Sequence, residues 1–247
     1  VLLPPPFIGS RVSLGVGWNY FAIPESPHAQ VNQGSSNEVV SSGTPVLVRE
    51  FEADTVPGEK EIALTVGWNL VGYSGVNTIP QSELGFKSNG TSTYQSLDRA
   101  AHEKHVQRRF LEYSAYRQRF VYSAASTVQE GKAYWIYAVQ PGVLKMPWVE
   151  SPGRRGKSVT VRDLQFMNIT SWEVKNFEDA FAAKWIGTSS DTLNTVVKKW
   201  DGSAGYRSIA LNQPLDTWKG YVLWSASNDI IMQVSNLNAL HSPLVAA

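Results

Sequence analysis

Two segments of this chain carry the same signals in the same order. The corresponding blocks are residues 106–110 and 196–200, residues 116–117 and 206–207, and residues 133–137 and 220–224. The offset is 90 residues for the first two blocks (106 to 196) and 87 residues for the third (134 to 221). Because self-similarity of this kind means that one supersecondary unit is used twice, the pattern predicts a modular β scaffold rather than a single catalytic fold.

Short runs of strand-forming residues, separated by turn residues, extend along both halves of the chain. The triplet Gly-Trp-Asn stands in two of these runs, at residues 17–19 and 67–69. Asp201-Gly202 predicts a hairpin turn between a strand at 193–200 and a partner at 206–211. Many short strands joined by turns are typical of antiparallel sheets that form sandwiches or open barrels.

We therefore predict an all-β fold with minor α content, built as two tandem antiparallel β-sandwich or open-barrel modules that the repeat relates. Residues 147–157 are rich in Pro, Gly and basic side chains and mark the boundary, so the modules span residues 1–150 and 151–247. One short helix is expected at about 176–185, where Asn176 can act as the N-cap and aromatic residues recur at every fourth position.

Composition excludes several classes of function. The net charge of +1 provides no field to attract nucleic acid. The absence of cysteine excludes disulfides, thiolate metal sites and a cysteine nucleophile. No apolar run approaches the ~20 residues of a membrane-spanning helix. The chain begins Val-Leu-Leu-Pro-Pro-Pro without an initiator Met, so we expect either a removed targeting segment or a longer precursor.

Motifs that carry chemistry are weak in this sequence. Residues 153–158, Gly-Arg-Arg-Gly-Lys-Ser, have two residues between the glycines where a phosphate-binding loop needs four, and a strand-like run follows where a helix is required. His102 and His105 are three apart rather than the four of a zinc-protease helix. We therefore expect no enzyme, and predict no catalytic residue, metal or cofactor.

The strand at 67–73, Gly-Trp-Asn-Leu-Val-Gly-Tyr, and the later run at 131–136, Gly-Lys-Ala-Tyr-Trp-Ile, together resemble a recurrent module of exported bacterial and archaeal surface proteins. In the second half the hairpin at 200–206 and the strand at 220–222 keep this pattern, whereas the opening at 171–174 is degenerate. The resemblance covers about two thirds of the chain and implies a non-catalytic building block outside the cell.

The leading functional hypothesis is a structural or interaction subunit of an extracellular assembly, such as a cell-surface layer, an appendage or a virion. Its partners would be copies of itself or other subunits, and the Pro-rich residues 1–6 could dock on a neighbour as an arm. The alternative is a carbohydrate-binding module, in which exposed aromatic side chains stack on sugar rings. The candidate ligand or interface residues lie beside turns or polar residues, and they are Trp148, Trp200, Tyr206 and Trp218.

Overall fold

The computed structural model describes residues 9–23, 56–75, 78–114, 117, 119–122, 127–150 and 158–235. The predicted N-terminal arm lies outside the described residues. Within them the fold is all-β, with two α-helices of six residues each. The expectation of an all-β protein with little helix is confirmed.

The chain forms eighteen strands in the described residues. In order they are β1 (Gly9–Ser13), β2 (Gly17–Phe21), β3 (Val56–Leu64), β4 (Gly67–Gly72), β5 (Ile79–Pro80), β6 (Gly85–Ser88), β7 (Gln95–Ser96), β8 (Leu111–Ser114), β9 (Arg119–Tyr122), β10 (Thr127–Val128), β11 (Ala133–Ala138), β12 (Gly142–Glu150), β13 (Leu164–Asn168), β14 (Val174–Asn176), β15 (Lys198–Trp200), β16 (Tyr206–Ser208), β17 (Tyr221–Ser225) and β18 (Ile230–Ser235). The helices are α1 (Leu97–His102) and α2 (Phe177–Ala182).

Four antiparallel four-stranded sheets and one two-stranded ribbon, β10-β5, organise these strands into two lobes. Lobe 1 holds sheets β4-β11-β8-β9 and β3-β12-β6-β7, and lobe 2 holds sheets β2-β17-β15-β16 and β1-β18-β13-β14. The strand order of the four-stranded sheets is therefore the same in the two lobes. That both lobes derive from one repeated sequence stays a prediction.

Each lobe closes around its own hydrophobic core. The core of lobe 1 is built from residues 64–146 together with Trp218, and that of lobe 2 from residues 161–234 together with Leu14, Phe21 and Ile23. The predicted module boundary counted residues 9–23 with the first half of the chain. The structure instead places them in lobe 2, because β1 pairs with β18 and β2 pairs with β17.

The repeated Gly-Trp-Asn triplet has a structural explanation. Gly17 and Gly67 adopt φ angles of +95° and +97°, a region that favours glycine. Asn19 then clamps the turn, because its side chain accepts a hydrogen bond from the Gly15 N–H (2.7 Å) and donates to the Gly15 carbonyl (2.8 Å). Asn69 makes the equivalent bonds in lobe 1. The triplet is thus a strand-entry turn that leaves its tryptophan on the sheet surface.

Both helices begin and end in the same way. The Asn176 side chain accepts a hydrogen bond from the Asp179 N–H at 2.8 Å, which confirms the predicted cap of α2. Ser96 caps α1 in the same manner. After each helix a lysine with positive φ closes a Schellman motif, Lys104 at +61° and Lys184 at +60°.

The strand predicted at 193–200 is shorter than expected. Regular pairing begins only at Lys198, and it continues to the predicted hairpin partner through Trp200 and Tyr206. Residues 188–195 form a turn-rich loop instead, because the Asp191 carboxylate accepts hydrogen bonds from the Thr188 N–H and hydroxyl. Local polar contacts of this kind compete with the extended conformation.

The lobes join along a seam between sheet β4-β11-β8-β9 and sheet β2-β17-β15-β16, which we call the seam sheets. The Ala22 N–H donates to the Gly131 carbonyl (2.8 Å), and the Gly72 N–H donates to the Trp218 carbonyl (3.1 Å). The two bonds are matched, because Ala22 and Gly72 lie 50 residues apart and Gly131 and Trp218 lie 87 apart. The lobes therefore meet with the same local geometry on both sides of the seam.

Candidate functional site

The seam sheets carry aromatic side chains on the face turned away from each core. In β11, Tyr134, Ile136 and Ala138 belong to the core of lobe 1. Since side chains alternate along a strand, the intervening Trp135 and Tyr137 lie on the opposite face. This face is where the two lobes meet.

Each seam sheet has one aromatic pair across its outer hairpin. Tyr113 faces Phe120 between β8 and β9, with ring centroids 5.3 Å apart and planes at 74°. Trp200 faces Tyr206 between β15 and β16, also at 5.3 Å, with planes at 73°. Edge-to-face pairs of this geometry add about 0.5–1.5 kcal/mol beyond the area that they bury. Both hairpins are therefore stabilised by the same device.

The rings also touch across the seam. Trp135 of lobe 1 lies 4.9 Å from Trp200 of lobe 2, with planes at 80°, and Tyr20 of lobe 2 lies 5.4 Å from Tyr113 of lobe 1. The Trp200 indole N–H donates a 3.0 Å hydrogen bond to the Trp68 carbonyl. The relative position of the two lobes is thus held by ring packing as well as by backbone hydrogen bonds.

Two phenol groups meet at the seam between the lobes. The Tyr20 and Tyr206 hydroxyls lie 3.0 Å apart. Burial raises the pKa of Tyr20, and the hydrogen bond with Tyr206 raises it further. Burial also raises the pKa of Tyr206. Both phenols therefore stay protonated at neutral pH and act as neutral hydrogen-bonding groups.

An apolar cleft of about 340 Å³ opens on the lobe 1 side of the seam. Its lining consists of Trp68, Leu111, Phe120, Trp135, Trp200 and Tyr206. Three of these side chains form an accessible rim, because Trp68 is 40% exposed, Phe120 42% and Tyr206 43%. We call this surface the apolar cleft.

A second cleft of about 580 Å³ lies where β1 and β2 of lobe 2 approach β8, β9 and the beginning of β11 in lobe 1. We call it the mixed cleft, because aromatic and charged side chains both line it. Its aromatic members are Trp18, Tyr20, Phe21, Tyr113 and Tyr122, and its charged members are Arg11, Glu112, Arg117, Glu130 and Lys132. The two clefts share no lining residue.

One lining residue of the apolar cleft, Leu111, has a polar counterpart in lobe 2. Leu111 in β8 pairs with Trp135, and Lys198 in β15 pairs with Val222 at the corresponding position. The Lys198 ammonium lies 5.0 Å from the centre of the Trp18 ring and 3.1 Å from Asp191 Oδ1. The tryptophan of lobe 2 is therefore covered by a paired cation, where lobe 1 has an open apolar surface.

The structure places the predicted site residues in different environments. Trp200 and Tyr206 are neighbours in the apolar cleft, but their planes at 73° do not form a flat platform for sugar. Trp218 is only 3% exposed, because it inserts into the core of lobe 1 and packs edge-to-face on Tyr73 at 5.5 Å. Trp148 lies in β12 opposite Gly58, and its side chain is outside the described residues.

Sequence reasoning missed Trp68 and Trp135 as site residues. Both stand in strongly apolar runs, and such aromatics usually pack in a core. In β11 nearly every residue is apolar, so no polar side chain marks the outer face that carries Trp135 and Tyr137. The useful signal was period two within the run, with Trp135 and Tyr137 on one face and Tyr134 and Ile136 on the other.

Among the described residues, no group of three or more His, Cys, Asp or Glu side chains is arranged to hold a metal ion. Nor does this part of the chain contain a helix with the length and apolar character needed to cross a membrane.

Comparison with protein-family models, with curated proteins and with solved structures found no match to this chain. Its function is therefore inferred from the geometry of the seam.

Proposed function

We propose that the chain is a non-catalytic structural and interaction subunit of an extracellular assembly, such as a cell-surface layer, an appendage or a virion. The observation that carries this proposal is the exposed aromatic rim of the apolar cleft. Contiguous exposed apolar surface is typical of a contact site for another protein. Tryptophan and tyrosine are also the side chains most enriched at the energetic centre of interfaces.

The apolar surface continues beyond the cleft along two paired strands. Trp68 in β4 packs on Tyr137 in β11 with ring centroids 5.2 Å apart, and Tyr137 is 37% exposed. Val66, just before β4, and Val139, just after β11, are 60% and 52% exposed. The cleft is thus the centre of a wider contact surface.

The chemistry of the cleft favours contact over catalysis. Its six lining side chains include no carboxylate, imidazole or thiol. The Trp200 indole N–H and the Tyr206 hydroxyl already have partners within the chain, the Trp68 carbonyl and the Tyr20 hydroxyl. A partner would therefore gain affinity mainly by removing ring surface from water, at about 25 cal/mol per Å² of apolar area.

The partner that we propose is a second copy of this chain. The extracellular setting is supported by the resemblance of the Gly-Trp-Asn strands to modules of exported surface proteins. A subunit that repeats in an assembly needs a strong contact surface on a scaffold that does not deform, and the ring contacts across the seam suit such a scaffold.

Sedimentation velocity of the whole chain, from micromolar to millimolar concentration, tests the proposal. We expect reversible association, and we expect Leu111→Lys to weaken it at least tenfold, because the substitution places a charge in the apolar cleft as Lys198 does in lobe 2.

Val174→Lys is the control, since Val174 is an exposed apolar residue (42%) on β14 of lobe 2 and lies outside the apolar cleft. A chain that remains monomeric throughout the concentration range contradicts the proposal. So does an equal effect of the two lysine substitutions, which would show that the cleft has no special role.

A further inference from the structure

The mixed cleft combines aromatic and charged side chains, whereas the apolar cleft has no charged lining residue. Its volume of about 580 Å³ falls within the ~300–1,000 Å³ range of small-ligand sites. It also lies between two lobes, where such sites are common. We propose that the mixed cleft binds a short, uncharged oligosaccharide.

The aromatic walls suit the apolar faces of sugar rings. Tyr122 is 53% exposed, and Trp18, Tyr20 and Tyr113 are half-buried. Tyr20 and Tyr113 come from different lobes, and their rings lie 5.4 Å apart at an angle of 37°. The cleft therefore offers rings from both lobes, so a chain of several sugar units can contact more than one of them.

Glu112 supplies the hydrogen-bonding group that a sugar needs. Its side chain is half-buried in the cleft and has no hydrogen-bond or salt-bridge partner among the described residues. A carboxylate has about four acceptor sites, and hydroxyl groups of a sugar can donate to several of them at once. Small-ligand sites are lined by aromatic and apolar side chains with a few polar groups that orient the ligand, and Glu112 is such a group in this cleft.

The charges around the cleft favour a neutral ligand. Arg11, Arg117 and Lys132 are balanced in part by Glu112 and Glu130, so neither an anion nor a cation meets a surface of one opposite sign. Sugar hydroxyls both donate and accept hydrogen bonds, and they can therefore satisfy both kinds of side chain. Ser13 and Ser114 add neutral hydroxyl groups to the same lining.

Isothermal titration calorimetry of the whole chain with four neutral tetrasaccharides tests this inference. The probes are cellotetraose, maltotetraose, mannotetraose and the tetramer of N-acetylglucosamine, each at concentrations up to 10 mM. We expect at least one of them to bind, with a dissociation constant in the micromolar to millimolar range.

Two substitutions then locate the site. Glu112→Gln removes the charge but keeps the shape, and we expect it to weaken binding about tenfold, because hydrogen bonds to an ionised acceptor are the stronger kind. Tyr122→Ala removes an exposed ring and should weaken binding to a similar degree. Neither should change the melting temperature appreciably, since both side chains are at least partly exposed.

Tyr94→Ala is the matched control, because Tyr94 is a partly exposed tyrosine of lobe 1 that lines neither cleft. It should leave sugar binding unchanged. The inference is overturned if no probe binds at 10 mM, or if Tyr94→Ala weakens binding as much as Glu112→Gln and Tyr122→Ala do. Sedimentation velocity reports the assembly contact separately, so either proposal can fail while the other stands.

Discussion

The two lobes share a strand order but differ where they meet the solvent. Both have the Gly-Trp-Asn turn, the capped six-residue helix, the Schellman motif and one aromatic pair across a hairpin. One of the differences lies in the seam sheet, where lobe 1 has Leu111 and lobe 2 has Lys198. The comparison shows that the scaffold is set by turns and caps, whereas the character of a surface depends on very few side chains.

A second difference concerns how the lobes fill the space between them. In lobe 1 the large ring is Trp135 on β11, opposite Leu70 on β4. In lobe 2 the large ring is Tyr20 on β2, opposite Val222 on β17. Each of these two cross-strand pairs has one large and one smaller side chain. The large one lies on the inner strand β11 in lobe 1 but on the edge strand β2 in lobe 2. This exchange lets rings from both lobes interdigitate, as close packing requires.

The largest effect on stability is expected from a substitution that tests whether β1 and β2 belong to lobe 2. Phe21 is fully buried in the core of lobe 2, so Phe21→Ala should lower the free energy of unfolding by about 3–5 kcal/mol. Hydrogen exchange should then show lost protection in β17 and β18 rather than in β11 and β12. Phe86→Ala, in the core of lobe 1, is the control and should show the reverse pattern. Equal loss in both lobes would contradict the separation of the cores.

The next largest effect on stability is expected at the seam, where Gly72 of lobe 1 lies close to Ala22 of lobe 2. A Cβ atom on Gly72 would lie 2.5 Å from the Lys219 carbonyl oxygen and 2.6 Å from the Ala22 Cβ. Gly72→Ala should therefore destabilise the chain by about 1–3 kcal/mol in urea unfolding, the usual cost of overpacking. Adding Ala22→Gly removes one of the two clashes and should recover part of the loss. No recovery in the double variant would show that the seam does not bring these positions together.

A smaller effect is expected in the lobe 2 loop that precedes Lys198. Burial tends to raise the pKa of Asp191, but hydrogen bonds from Thr188 and Lys198 outweigh it and hold this pKa below its usual value. A carboxylate with a lowered folded-state pKa stabilises the protein above the unfolded-state pKa, and this contribution is lost as the pH falls through the folded-state value. Asp191→Asn should therefore cost about 1.5 kcal/mol at pH 7.

The difference between Asp191→Asn and the unsubstituted chain should shrink as the pH is lowered from 5 to 2, measured by urea unfolding at each pH. A difference that stays constant with pH would mean that the charge of Asp191 contributes nothing to stability.

The smallest effect should be a gain, and it should be equal in the two lobes. Lys104 and Lys184 are exposed and stand at φ angles near +60°, where a side chain other than glycine costs about 1–2 kcal/mol. Lys104→Gly and Lys184→Gly should each stabilise the chain by about 0.5–1 kcal/mol, because the greater freedom of glycine in the unfolded chain offsets part of the relief. If one variant melts at a higher temperature than the unsubstituted chain and the other at a lower one, the two helix ends are not equivalent.

Local features of the fold could be predicted from the sequence, because they depend on neighbouring residues. The cap at Asn176 and the hairpin through Trp200 and Tyr206 are examples. The pairing of β1 with β18 could not be predicted, since it joins residues more than 200 positions apart and several strands of similar apolar character compete for the same edge. The burial of Trp218 could not be predicted for the same reason, because it depends on residues distant in sequence. Trp218 lies beside turn residues but is buried in the core of lobe 1.

The candidate site was only partly predictable for a related reason. Trp200 and Tyr206 flank a turn, which the sequence shows, whereas Trp68 and Trp135 stand in apolar runs, where aromatic side chains usually pack in a core. Which face of such a strand is outermost depends on what packs against it, and here one seam sheet packs against another. Trp68 is 40% exposed, whereas Trp135 is only 7% exposed because the rings of the other lobe pack against it.

The placement of the first two strands has a consequence for biosynthesis. Gly9 pairs with Ser235, so β1 and β2 leave the ribosome long before the strands that they join. At ~5–20 residues per second, the interval is on the order of ten to forty seconds. Apart from Trp218, the core of lobe 1 comes from contiguous chain that can fold during that time. Meanwhile β1 and β2 keep unpaired edges and an apolar side chain, Phe21, that has no core to enter. The newborn chain is thus most vulnerable at β1 and β2, and a chaperone that binds nascent hydrophobic segments would find its site there.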